Sequence, residues 1–181
     1  IIACLRAISI PIWSGIAPSH DLIRRISRHY VRAKSYEEKK AFIDALLLVY
    51  SNIPEVAEAI VDFALGALEY EKENIDIMWE LQRMLSIIAS TEIRTETLFR
   101  VAKKTLELMK APEEKLSVTL RIILIENILA SVARREPRII IELADDVVEA
   151  YRCSPGVSVY DDLAKVIYEA LRRYPRKDEK C

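Results

Sequence analysis

A ten-residue pattern of apolar and polar positions recurs four times along the chain. It runs apolar residue, Ala, two variable residues, two mostly apolar residues, Glu, apolar residue, one variable residue, and Lys or Arg. The four copies begin at Phe63, Val101, Leu143 and Leu163. A supersecondary unit repeated in this way predicts a repeat architecture.

Signals for helix starts precede the apolar segments. Ser35 and Glu38 have the spacing of a capping box, in which each side chain accepts a hydrogen bond from the other residue's backbone N–H. Polar caps or prolines mark further starts at Asn52 with Pro54, Asn74, Pro112, Pro137, and Gly156 or Ser158. These signals predict helices near residues 19–34, 36–51, 54–72, 75–90, 92–110, 113–135, 137–152 and 157–174. The chain has only 3 Gly and no Asn-Gly or Asp-Gly turn, which argues against β-hairpins.

Two sets of residues give the length of the repeat. Ser51, Ser90 and Ser131 close the first helix of three successive helix pairs, and they lie about 40 residues apart. The glutamates of the first three pattern copies follow the same period, whereas Glu169 comes half a period after Glu149. The spacing therefore predicts three helix pairs followed by one unpaired terminal helix.

The predicted fold is an all-α, right-handed solenoid of antiparallel helix pairs, with about 40 residues per repeat and about 8 helices. We predict one domain over residues 1–181. It contains a partial basic N-terminal unit at 1–34, repeats at 35–73, 74–112 and 113–156, a terminal helix at 157–174 and a tail at 175–181. Within the pattern, we expect Ala to let a neighbouring helix approach closely, and Glu to pair with the basic residue three positions later.

The paired helices, the period and the prolines at helix starts resemble the α-helical repeat proteins of the HEAT and armadillo type over residues 35–174. The resemblance is architectural. It implies a scaffold that holds partners along a curved surface.

The first predicted helix carries a stripe of basic side chains. Arg24, Arg28 and Arg32 follow one another at intervals of four residues, with Arg25 and His29 beside them. We expect an apolar face on the same helix, formed by Leu22, Ile23, Ile26, Tyr30 and Val31. One interpretation is a surface for anions or for a partner, including nucleic-acid phosphate. The other is a solvated basic face that packs beside the acidic repeats of the same chain.

The composition indicates the class of protein and its environment but does not identify a function. Hydrophobic residues make up 51% and charged residues 30%, which is typical of a folded protein, and the net charge of -1 gives no global field for a polyanion. Scarce Asn and Gln with abundant charge suggest a thermophilic protein. Cys4, Cys153 and Cys181 are widely spaced, which favours reduced thiols and a cytoplasmic location. No uninterrupted apolar segment of about 20 residues predicts a membrane helix.

No motif for catalysis, cofactor binding or metal binding is present in the sequence. Trp79 is expected in the core or in a seam between helices. Arg121 and Asn127 interrupt an otherwise apolar helix that we expect to be buried, and a functional polar site there is the alternative to a structural role. We therefore predict a non-catalytic protein-interaction scaffold, with a protein partner or a homo-oligomer as its assembly. The alternative is a nucleic-acid-binding repeat protein that uses the basic N-terminal helix.

Overall fold

The structure is a computed structural model, and it describes residues 20–71, 73–91, 93–112, 116–154 and 156–174. All regular elements within these ranges are helical and none is a strand, which confirms the predicted all-α class. The chain divides into two compact units, residues 1–88 and residues 89–181. No helix of the described residues is both long and apolar enough to cross a membrane.

The first unit contains four α-helices among its described residues, and the last of them ends at the unit boundary. They are α1 (His20–Tyr30), α2 (Tyr36–Asn52), α3 (Ala57–Tyr70) and α4 (Ile75–Ala89), with a 3-10 turn at Pro54–Val56 before α3. Helix α1 packs on α2 and α3. The wholly buried Tyr30 ring meets Phe42 and Phe63 edge to face, at centroid distances of 6.4 and 5.0 Å.

The described part of the second unit also consists of helices. They are α5 (Thr95–Met109), α6 (Val118–Leu124), a π-helical turn (Ile125–Leu129), α7 (Ala130–Arg135), α8 (Pro137–Glu142), α9 (Ala144–Cys153) and α10 (Val157–Arg173). Helix α10 packs against α6, the π-helical turn, α7 and α8, and less extensively against α9. Its buried face consists of Val159, Leu163, Val166 and Ala170.

Three of the predicted helix starts are confirmed, two of them by local hydrogen bonds. The Ser35 hydroxyl accepts from the Glu38 N–H at 3.1 Å, and the Glu38 carboxylate accepts from the N–H groups of Lys34 and Ser35. These two backbone bonds lower the pKa of Glu38. Asn74 accepts from the Ile77 N–H at 3.3 Å, and Pro137 occupies the first turn of α8.

One predicted start is wrong, and another falls on residues that the structure does not describe. Asn52 is the last residue of α2, and the cap of α3 is Val56, because a 3-10 turn intervenes. The start predicted after Pro112 falls on residues 113–115, which lie outside the described ranges; the Leu116 N–H donates to the Pro112 carbonyl. Helix α6 begins at Val118, after Ser117, whose hydroxyl accepts from the Leu120 N–H.

Two predicted helices are interrupted. The segment predicted as one helix over 113–135 continues from α6 through the π-helical turn into α7, and the turn buries Ile125, Ile128 and Leu129 completely. The segment predicted over 137–152 ends one helix at Glu142 and starts another at Ala144, with Leu143 between them.

The recurring pattern serves different purposes in its different copies. The alanines of the first two copies, Ala64 and Ala102, are wholly buried, as a close helix contact requires. Those of the last two copies, Ala144 and Ala164, are exposed, so the expected close approach is wrong there. In α10 the preceding residue, Leu163, faces the core instead.

Candidate interaction surfaces

The basic surface of α1 is exposed wherever the structure describes its side chains. Arg24, Arg28 and His29 are exposed on the helix, and Arg32 is exposed in the turn after it. The helix ends at Tyr30, two residues before Arg32, so the predicted stripe over a single helix is shortened. The backbone N–H of Arg32 donates to the His29 carbonyl in that turn.

The fifth predicted member, Arg25, has a side chain outside the described residues, as does Leu22 on the expected apolar face. Ile23, Ile26 and Tyr30 are buried as expected. Val31 is exposed, contrary to the prediction, because it follows the end of the helix.

An apolar pocket of about 330 Å³ lies beside the end of α1. It is lined by Ser27, Tyr30, Val31, Asp62, Phe63, Gly66, Ala67 and Tyr70. A methyl group added at Gly66 would meet nothing within 4 Å, so the wall of the pocket is open there.

An ion pair lies close to two tyrosines that line this pocket. Lys39 donates to the buried Glu71 carboxylate at 2.5 Å, and its ammonium lies 5.8 Å from the ring centroids of both Tyr30 and Tyr70. Burial, and then the nearby charge of Glu71, raise the pKa of Tyr30. The Tyr30 phenol is therefore neutral at physiological pH.

An ion-pair network joins α2 to α4 in the first unit. Lys40 and Arg83 both contact the buried Glu80 carboxylate, at 3.1 and 2.9 Å, and Arg83 also contacts Asp44. The Tyr36 hydroxyl donates to Glu80 at 3.2 Å. Burial opposes ionisation of Glu80, but the hydrogen bonds from Lys40 and Arg83 outweigh it and lower its pKa. Glu80 is thus held as a carboxylate with a structural role.

Trp79, the residue before Glu80, is 46% exposed, so of the two places expected for it the core is excluded. Ile75 and Ile87 are also exposed on α4. They lie four residues before and eight residues after Trp79, so the three side chains occupy one face of the helix. Helix α4 therefore presents large apolar side chains outside its buried face.

A groove of about 900 Å³ opens in the second unit between α10, the π-helical turn and α7. It is lined by Ile125, Glu126, Ala130, Arg134, Asp161, Asp162, Ala164, Lys165, Val166, Tyr168 and Glu169. Ion pairs within α10 occupy its rim. Lys165 contacts Asp162 at 2.7 Å, and this hydrogen bond raises the pKa of Lys165. Arg173 and Arg172 donate to Glu169 and lower its pKa.

The outward face of α10 carries a row of exposed side chains, which is apolar except for one aspartate. We call this set the outer stripe, and it consists of Val157, Asp161, Ala164, Tyr168 and Leu171. The exposed fractions are 73% for Val157, 67% for Tyr168 and 59% for Leu171. Sequence reasoning missed this surface, although its spacing of four, three, four and three residues is visible in the sequence.

Arg121 is not placed to serve as a surface site, because it is wholly buried. Its guanidinium donates to the backbone carbonyls of Met109, Ala111 and Leu116 and to the Ser154 hydroxyl. It thereby joins the end of α5 and the following turn to the residue after α9. Of the two polar residues predicted here, Asn127 is half-buried on the π-helical turn, and its carbonyl accepts from Ser131.

The part of the chain that the structure describes contains no group of three or more His, Cys, Asp or Glu side chains that could hold a metal ion. Comparison with protein-family models, with curated proteins and with solved structures finds no match to this chain.

Proposed function

We propose that this chain is a non-catalytic protein-interaction module, built as a right-handed solenoid of repeats of about 40 residues. The observation that carries the proposal is the outer stripe of α10. Large apolar side chains there are arranged for contact with another helix and remain exposed. Burying a side chain such as Leu171 contributes about 1.5–3 kcal/mol, so a few such residues are enough to anchor a partner.

Contacts between residues one period apart support the repeat architecture. Arg83 bonds to Asp44, and Lys110 bonds to Glu149, in each case across 39 residues of sequence. The first contact joins α2 to α4, and the second joins the residue after α5 to α9. Stacked repeats bring equivalent helices side by side, which produces contacts at this separation.

Site-specific photo-crosslinking tests the proposal. A benzophenone amino acid at Tyr168 should give a protein adduct in a lysate of the organism that encodes the chain. The same probe at Lys103, an exposed polar position on α5, is the matched control. We expect the adduct at Tyr168 alone, and we expect it to diminish in a Leu171→Glu background. Equal labelling from both positions would contradict the proposal.

A second candidate function is nucleic-acid binding through α1, and the exposure of Arg24, Arg28 and Arg32 favours it. If all three contact phosphates of a duplex, the slope of log K against log salt should be about -3. Replacing the three arginines by Glu should abolish binding of a fluorescent duplex. The control replaces three exposed basic residues elsewhere, namely Lys103, Arg138 and Arg152, by Glu. Equal loss in both variants would exclude a site on α1.

The cysteine chemistry supports a cytoplasmic location as part of the same proposal. Cys153 is a free, exposed thiol at the end of α9. Such thiols persist where the redox environment is reducing. Localisation of the tagged chain in fractionated cells would test this.

A further inference from the structure

Helix α10 has large apolar side chains on two faces, although packing within its own unit uses only one. The inward face, formed by Val159, Leu163, Val166 and Ala170, is buried. The outer stripe runs along the opposite side of the helix and is exposed. A helix that is apolar on both sides is normally covered on both sides.

The outer stripe has the spacing of a coiled-coil seam. Its members follow one another at four, three, four and three residues, which is the alternation that lets two helices interlock side chains along their length. Ala164 lies in the middle of the stripe, where its small side chain permits two helices to approach closely. The stripe therefore fits another helix better than it fits a loop or a strand.

One charge within the outer stripe and one beside it specify the partner helix and its direction. Asp161 lies near the start of α10, and Arg172 lies near its end, on the exposed side. A second α10 running in the opposite direction brings Asp161 of each helix towards Arg172 of the other. A parallel pair would instead place the two Asp161 carboxylates against each other. Arg172 also contacts Glu169 of its own helix at 3.0 Å, and its half-exposed side chain leaves room for a second partner.

We propose that two copies of this chain associate through antiparallel pairing of their α10 helices along the outer stripe. This inference rests on the proposed function and names the partner at that surface. A two-fold interface uses the same patch on both subunits, so a patch with opposite charges at its two ends is self-complementary. Helix α10 has 17 residues and is about 25 Å long, which makes the interface small and the dimer weak.

Sedimentation equilibrium on the purified chain tests the pairing, over concentrations from about 5 to about 500 µM, because interfaces of this size are weak. We expect a concentration-dependent dimer. Tyr168→Glu should weaken it at least tenfold while leaving the helical circular dichroism and the melting temperature of the chain unchanged. Lys103→Glu, on an exposed position of α5, is the control and should leave the dimer intact.

Charge reversal tests the direction of the helices. Asp161→Arg should prevent self-association, because it places a second positive charge against Arg172 at both ends of the pair, and Arg172→Asp should do so through paired carboxylates. A mixture of the two single variants should form a heterodimer, because each end of the antiparallel pair then brings an Arg of one variant against an Asp of the other. A mixture that stays monomeric, or single variants that dimerise as well as the natural chain, would overturn the antiparallel pairing.

The result also separates this inference from the function on which it rests. A chain that stays monomeric at every concentration, but whose Tyr168 probe crosslinks to a different protein, overturns self-association and leaves the interaction module standing. A monomeric chain whose Tyr168 probe gives no adduct overturns both.

Discussion

Arg121 is the residue whose replacement we expect to destabilise the second unit most. Its buried guanidinium donates to the Ser154 hydroxyl and to the backbone carbonyls of Met109, Ala111 and Leu116. At about 1.5 kcal/mol for each of these bonds, the low end for a charged donor, they sum to about 6 kcal/mol. Arg121→Met keeps most of the side-chain volume and also removes the cost of burying a charge. Because bonds from one group are not additive, we expect a loss of about 3 kcal/mol.

Urea denaturation followed by circular dichroism measures the total effect, and hydrogen exchange measures where it arises. Amides near Ala111 and Leu116 should lose protection first in Arg121→Met, because the carbonyls of these residues lose a shared donor. Arg138→Met is the matched control: Arg138 is exposed on α8, and its replacement should change stability by less than about 0.5 kcal/mol.

The reasoning would be refuted by a loss below about 1 kcal/mol in Arg121→Met, since orphaned buried carbonyls cost at least that much. It would also be refuted if Arg121→Met and Arg138→Met were equally stable. Arg121→Lys refines the test, because an ammonium has only three donors and cannot reproduce the planar arrangement of the guanidinium. We expect its stability to lie between those of the natural chain and Arg121→Met.

Three further changes test other parts of the structure. Gln82 is wholly buried, and its amide has no hydrogen-bond partner among the described residues, so Gln82→Met should raise stability in urea by about 1–2 kcal/mol; a loss would show that the amide is paired. Glu80 has a lowered pKa in the folded chain, so it contributes stability above its ordinary pKa of 4.5 that is lost as the pH falls through the lower folded value. Denaturation between pH 6 and pH 3 should therefore show a smaller loss in Glu80→Gln than in the natural chain, and equal losses would contradict the assignment. Ser117→Ala removes the cap of α6 and should cost about 1 kcal/mol in urea, whereas Ser117→Asn should cost little.

The helices could be predicted because their signals are local. The capping box of Ser35 and Glu38 uses only residues within one turn, and the structure forms both of its bonds. Pro137 likewise suits the first turn of a helix, whatever packs against it later. The all-α class follows from such signals together with the lack of turn motifs.

The interruptions could not be predicted from local signals. No residue type in Ile125–Leu129 opposes a regular α-helix, yet these residues form a π-helical turn whose apolar side chains are buried. A turn of this kind shifts the faces of α6 and α7 relative to each other, so its advantage lies in packing and not in propensity. The exposure of Trp79 has the same origin, since its burial depends on which neighbours α4 has.

The sequence indicated that Arg121 is buried but did not identify its hydrogen-bond acceptors. A single arginine in an apolar helix indicates a buried charge that needs acceptors. The acceptors are mainly backbone carbonyls, and every residue offers one of these, so the sequence does not distinguish the correct partners. The shared face of Arg24 and Arg28 could be predicted, because their spacing places both on one side of any helix. Whether that face is exposed or packs against the rest of the chain could not be predicted from the spacing.

The basic residue of the recurring pattern has two different physical roles, and stability measurements should separate them. Lys110 reaches α9 and contacts both Asp146 and Glu149, and the hydrogen bonds with these two carboxylates raise its pKa. Arg172, the equivalent residue of the last copy, contacts Glu169 within its own helix.

Lys110→Met leaves two carboxylates close together without a shared cation, so it should cost about 1 kcal/mol. Arg172→Met removes one exposed helical pair and should cost only a fraction of that, measured by urea denaturation at a concentration too low for self-association. If the two variants lost the same stability, or if the loss in Lys110→Met were unchanged at high salt, the contact of Lys110 with α9 would not be what stabilises this part of the chain.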